Sequence, residues 1–317
     1  MENNTSEIKG KKLKVLEAKL KESLAEEDLF ICEIELERAK NAIDKTEDEK
    51  QKSISALEVD REKRIQEVMK YKVAAEELER AYNTCLPCLF GNNLSMLIEM
   101  YRMALAARCV DYKNEEIMKS GQMTSEDPIL IPVLKLADGS VVRDFNDVLN
   151  YIEDSYPTQG YSIMPIDAAQ RGKMRLATTQ AQEVIESCFS MMVVQSMEQA
   201  GAVEVSLKLS KLEETLTQFG SKPFAMATEN PTYLDLYIYT HVERLRMLAD
   251  TDYEWVYKAT QIEDFPRIVR LLDAVKARPE FQGILAKKVN WAQWVSWHAK
   301  QPPEVKKLLF KQKSDLV

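Results

Sequence analysis

Two rhythms divide the chain. Over residues 1–82, apolar side chains recur at helical spacing in a strongly charged background: Leu13, Leu16, Leu20, Leu24, Ile31 and Ile34, then Ile54, Leu57, Ile65, Val68 and Leu78. The stripe is narrow, closer to a coiled-coil seam than to the broad apolar face of a globular helix. It lapses at Asp44–Lys52 (DKTEDEKQK), which holds no apolar residue. The pattern predicts one long helix or a helical hairpin folding back near Thr46, with the lapse favouring two helices. A helix with so little apolar surface is marginal alone, so a partner helix is implied, from this chain or another.

After Tyr82 the rhythm shortens. CLPCLF (85–90) has strand length, GNN follows as a turn, and Leu94–Ala107 reads as an apolar helix. CVDYKNEEI (109–117) fits a second strand, and ILIPVLKL (129–136) a β-branched third with a proline inside it. Asp138-Gly139 is a hairpin turn signal leading into SVVRDF. Asp147–Ser155 is a short amphipathic helix. The predicted order is βαβ, a loop, then ββα.

Composition sharpens the division. Of the 82 residues in 1–82, 38 are Lys, Arg, Asp or Glu. That stretch has no Gly between Gly10 and Gly91, no Pro before Pro87 and few aromatics. It is the composition of a solvated helix rather than of a packed domain. The 317-residue chain as a whole carries a net charge of −8, which argues against general nucleic-acid binding because phosphate recognition needs clustered cations. No run approaches the length of a membrane-spanning helix, and the start, MENNTSEIKGKKLK, lacks the apolar stretch of a secretory signal. Five cysteines do not form the even framework of a disulfide-stapled domain. The expectation is an intracellular, cytoplasmic protein with reduced thiols and no membrane or nucleic-acid partner.

Several stretches together resemble the glutathione S-transferase family, over roughly 84–300. LFGNNLSMLIEMYRMALAARCVDY (89–112) is similar to its first strand, catalytic turn and first helix, closest to the phi-type layout, with Ser95 nine residues before Ala104-Leu105. IPVLKLADGSVVRDFNDVLNYIEDSYP (131–157) resembles its third and fourth strands and closing helix. MPIDAAQRGKMR (164–175) is similar to the opening of its all-helical domain. NPTYLDLYIY (230–239) resembles its buried capping signature, and FPRIVRLLDAVKARPEFQGIL (265–285) its late helix with an Arg-Pro stop. The resemblance implies an α+β architecture in three parts. These are a helical or coiled-coil extension (1–82), a thioredoxin-like domain (83–157) and an all-helical domain (158–317).

It also implies a site. Ser95 would activate the glutathione sulfur at a helix N-terminus, where the dipole favours thiolate; as a plain N-cap it would instead only start the helix. Ile131 and Pro132 stand at the position of the family's cis-proline. The family's Glu-Ser pair, which holds the γ-glutamyl group, falls on Asp144-Phe145. Phe145 lacks the hydroxyl, and Met100 stands where the phi layout often has a cation. Thr232 and Asp235 would cap a buried helix reciprocally. Cys85 and Cys88, with Pro87 between them, look like the redox motif of omega-class and thioredoxin-like proteins, which works only at a helix N-terminus. Without a second such pair and with only two His, zinc is not implied.

His241 and the tryptophan triplet Trp291, Trp294 and Trp297 read as core packing. The functional expectation is a transferase-like protein with a degenerate glutathione site, acting through residues 1–82 as an interaction subunit in a cytoskeletal or other large assembly. The alternatives are an active transferase using Ser95 and a thiol-disulfide reductase using Cys85 and Cys88. A homodimer through the transferase-like domains is also implied.

Overall fold

The structure, a computed structural model, describes residues 2–40, 46–91, 94–116, 133–191 and 199–300. The chain divides into two compact units, Met1–Leu86 and Pro87–Val317.

The first unit is an antiparallel hairpin of α1 (Glu2–Lys40) and α2 (Glu47–Asn83). The start of α2 follows from local chemistry. The Thr46 hydroxyl accepts the Glu49 N–H while the Thr46 N–H donates to the Glu49 carboxylate at 3.0 Å. Glu47, Asp48 and Glu49 crowd the first turn, where the helix dipole welcomes negative charge. Three cross-helix contacts fix the antiparallel register: Lys19 with Glu79, Arg61 with Glu33, and the Arg64 guanidinium on the Asp28 carbonyl.

The packing of α1 departs from the expected seam. The residues buried along α1 are Val15, Ala18, Ala25, Cys32 and Leu36, whereas Leu13, Leu16, Leu20, Leu24, Ile31 and Ile34 are exposed. Small side chains face α2 and let the helices approach closely; the Cys32 thiol lies 3.9 Å from the Leu57 carbonyl oxygen. On α2 the predicted stripe is the inner one, with Ile54, Leu57, Ile65, Val68 and Leu78 half-buried and Ala75 buried.

The second unit opens with a mixed four-stranded sheet in the order β2-β1-β3-β4. Its elements are β1 (Cys88–Gly91), α3 (Met96–Ala107), β2 (Lys113–Glu116), β3 (Val133–Lys135), β4 (Val141–Val142) and α4 (Phe145–Ser155). β1 runs parallel to β2 and antiparallel to β3, with Leu89 paired to Leu134, both fully buried. β1 starts three residues later than the apolar run suggests, because residues 84–86 are spent in the turn that ends α2.

The helical half follows: α5 (Ala168–Phe189), α6 (Gln199–Gln218), α7 (Tyr233–Arg246), α8 (Glu254–Thr260), α9 (Pro266–Lys276) and α10 (Lys288–Ala299). The core is continuous across both halves of this unit, from Leu89, Ile98 and Leu105 through Val205 and Leu209 to Ile238, Val242 and Leu272. Each fully buried leucine or isoleucine contributes about 1.5–3 kcal/mol.

One buried charge cluster ties the halves together, and a second braces the end of α3 against α4. Glu99 on α3 pairs with Arg244 on α7 and also accepts the Ala286 N–H at 2.8 Å. Trp291 of α10 stacks near the Arg244 guanidinium and donates its indole N–H to the Arg244 carbonyl at 3.1 Å. Burial pushes the Glu99 carboxyl upward, while Arg244 and the Ala286 N–H act against that shift. Arg108, at the end of α3, pairs with Glu153 of α4 and donates to the carbonyls of Pro157 and Gln159. There the chain must turn tightly: Gly160 has φ +52, and a Cβ would sit 2.0 Å from the Ala107 carbonyl oxygen.

Candidate functional site

The C-terminal edge of a parallel βα unit is where this architecture gathers helix N-termini, and two of them carry the residues of interest. Ser95 is the N-cap of α3: its hydroxyl accepts the Ile98 N–H at 3.5 Å, a long bond, and the residue is half-buried. Asp144 is the N-cap of α4. Its Oδ1 accepts the N–H of Asn146 at 2.8 Å and that of Asp147 at 3.2 Å.

This capping decides much of the electrostatics. The first amides of a helix are what it offers to an anionic ligand. At α4 two of them are held by a carboxylate of the chain itself, with Asp147 adding a second negative charge in the first turn. The Asp144 charge also reaches Tyr101, a fully buried phenol of α3 whose pKa is pushed up first by burial and further by Asp144. Sequence reasoning missed Tyr101. Its position six residues after Ser95, in the apolar stretch of α3, is the available signal.

Ile131 and Pro132 lie outside the described residues, as does the Phe145 side chain; the Phe145 backbone begins α4. Met100 is fully buried and belongs to the core.

The two cysteines of the CxxC stretch sit in different surroundings. Cys85 lies in the turn after α2, where its thiol donates to the Ala81 carbonyl and accepts from Lys11 at 3.0 Å. Cys88 opens β1, eight residues before the first residue of α3. It is buried, and its thiol is pushed up to about 11, chiefly by burial and secondarily by Glu115. A reactive thiol needs the opposite shift.

Thr232 and Asp235 form a buried cap on α7. Asp235 accepts the Thr232 N–H at 2.7 Å and the Thr232 hydroxyl at 2.6 Å through one oxygen, and the Ala225 N–H at 2.7 Å through the other. Full burial pushes the Asp235 carboxyl upward, and these three donors oppose it.

His241 is buried against the Tyr237 carbonyl, with Nδ1 2.9 Å from it. Trp291, Trp294 and His298 stack in series along α10, and Trp297 faces outward. Among the described residues no three His, Cys, Asp or Glu come together as a metal site, and no helix is long and apolar enough to cross a membrane.

No family model and no curated protein matches the chain. Solved structures of glutathione transferases do. Leishmania TDR1, a trimeric glutathione transferase, shares 17% identity at a TM-score of 0.58, over 78% of this chain and 58% of that one. The Tau-class enzyme of mango, Mangifera indica, shares 20% identity at a TM-score of 0.57, over 67% of this chain and 98% of its own. A rice transferase solved with glutathione shares 17% identity at a TM-score of 0.56, over 68% and 96%. The likeness is one of fold. The second unit has the glutathione-transferase fold, a thioredoxin-like half followed by an all-helical half, as its sequence suggests.

Proposed function

We propose that this is a glutathione-transferase-like protein with a degenerate glutathione site, which works as an interaction subunit through its N-terminal hairpin. The observation that carries this reading is the Asp144 cap. The α4 amides that would receive the γ-glutamyl carboxylate already hold Asp144, and an arriving carboxylate would meet two fixed negative charges. Phe145 has no hydroxyl to supply the missing donor. The fold supports glutathione as the relevant small molecule, since the rice neighbour was solved with it.

Ser95 keeps the right place for thiol activation, at the N-terminus of α3, so an active transferase is the reading to test against. The raised Cys88 thiol weighs against a reductase. Residues 1–82 fit a protein partner, and the transferase-like unit fits a homodimer like those common among such folds. Five free thiols fit work in the reducing cytoplasm, within a larger assembly.

Calorimetric titration of the full chain with glutathione tests the reading. No heat of binding at several millimolar is expected. Binding at micromolar to low-millimolar Kd, with turnover of a general electrophile that Ser95→Ala abolishes, overturns it.

A further inference from the structure

We propose that the exposed apolar face of α1 is the contact for a second copy of this chain, with the two α1 helices antiparallel. This rests on the reading of residues 1–82 as a docking element and names its partner.

The face is built like an interface. At 100° per residue, Leu13, Leu16, Leu20, Leu24, Ile31 and Ile34 gather roughly 145° away from the line of Ala18, Ala25, Cys32 and Leu36 that faces α2. Leu16, Leu20 and Leu24 are 56%, 61% and 53% exposed, and Phe30 on the edge of the face is 62% exposed. A single exposed leucine needs no explanation; a row of six branched aliphatic residues over six turns marks a contact surface.

The charge distribution chooses the occupant and its direction. Residues 9–21 of α1 carry six lysines and one glutamate, while residues 22–37 carry seven acidic residues and no base. A second α1 laid parallel sets acid against acid and base against base. Laid antiparallel, each basic half meets an acidic half, at helix-packing distances of about 8–10 Å, within the reach of charges at physiological salt. The midpoint of the face lies at Ser23 and Leu24. That two-fold register sets Leu13 opposite Ile34 and Leu16 opposite Ile31 of the second copy. Glu27, the one acid within the face, falls beside Lys21 of the second copy. Each α1 is then covered on one side by its own α2 and on the other by its twin.

Oxidative cross-linking of the full chain tests both contact and direction, in a Cys85→Ser, Cys109→Ser background. Chains carrying Leu13→Cys mixed with chains carrying Ile34→Cys are expected to join at twice the 36.4 kDa of one chain, and neither variant to join with itself. Leu20→Glu with Leu24→Glu, both at exposed positions, is expected to weaken this association about 100-fold, tenfold or more for each lost leucine contact. The paired changes Lys12→Glu/Lys21→Glu and Glu27→Lys/Glu35→Lys are each expected to weaken it, and mixing the two variants to restore it. Self-joining of Leu13→Cys, a wild type that sediments as one chain at tens of micromolar, or indifference to the leucine substitutions overturns the proposal. The readings fail separately: failure of the mixed Leu13→Cys and Ile34→Cys chains to join removes the pairing alone, and tight glutathione binding removes the degenerate site alone.

Discussion

In the second unit the leucines mostly go inside: Leu89, Leu105, Leu134, Leu209, Leu234 and Leu272 are fully buried, although Leu176 and Leu207 face solvent. In α1 the assignment is reversed. Leu13, Leu16, Leu20 and Leu24 face solvent, while Ala18, Ala25 and Cys32 fill the interior of the hairpin. The two regions therefore hold together by different means. The transferase-like unit has a deep core and two buried ion pairs. The hairpin has a thin interior and cross-helix ion pairs whose partners are nearly half exposed, each worth about 0–1 kcal/mol. The lesson is that the hairpin keeps its larger apolar side chains for something other than itself.

Substitutions can break this contrast. Glu99→Ala leaves Arg244 buried and unpaired, and is expected to destabilise the second unit by about 3–5 kcal/mol in chemical denaturation. Replacing both partners with apolar residues of similar volume should recover most of that loss. Gly160→Ala forces a side chain into a left-handed backbone against the Ala107 carbonyl, and an expected loss of roughly 1–3 kcal/mol is read from the same transition. In the hairpin the stakes are lower. Thr46→Ala removes the capping box of α2 and should cost about 1 kcal/mol, measured by thermal unfolding followed at 222 nm in a dilute sample. Leu20→Ala should change the stability of the isolated chain by less than about 0.5 kcal/mol, because its side chain is already in water.

Thiol reactivity sharpens the comparison without mutation. Exposed Cys109 should alkylate readily in the native protein, while Cys32, inside the hairpin, should react only when the hairpin opens. Cys88 stays protonated at pH 8, since its thiol is pushed up to about 11. Its alkylation, followed by peptide mass mapping, should rise only as the pH approaches that value. Rapid reaction of Cys88 at pH 8 would revive the reductase reading.

Much of the order of elements in the second unit was legible from local signals: β-branched residues in β3 and β4, Asp138-Gly139 for a turn and Thr232 as a cap, whereas β2, with the sequence KNEE, carries no β-branched residue. The inner stripe of α2 was legible for the same reason. The interior of α1 was not, because leucine outweighs alanine in any reading by hydrophobicity. The signal that could have found it is the strict seven-residue spacing of Ala18, Ala25 and Cys32. The candidate site was legible as positions, Ser95 and Asp144, but not as geometry. Asp is a favoured N-cap residue, so the local sequence does allow Asp144 to spend its carboxylate on the amides of its own helix, a use that the ligand-binding expectation passed over. Glu99 and Arg244 were beyond reach altogether, since charged residues are rarely fully buried and these two stand 145 positions apart.

That last separation has a consequence for how the protein is made. Glu99 leaves the ribosome well before Arg244, and before Ala286, which lies 187 residues after it. At 5–20 residues per second, the wait for Arg244 is roughly 7–30 s. Until then α3 can bury its inner face only by burying an unpaired carboxylate, so the nascent thioredoxin-like half is expected to stay protease-sensitive on stalled ribosomes until Arg244 has emerged. The protein thus carries a timer in its own sequence, during which the nascent chain is a client for chaperones before it is a fold.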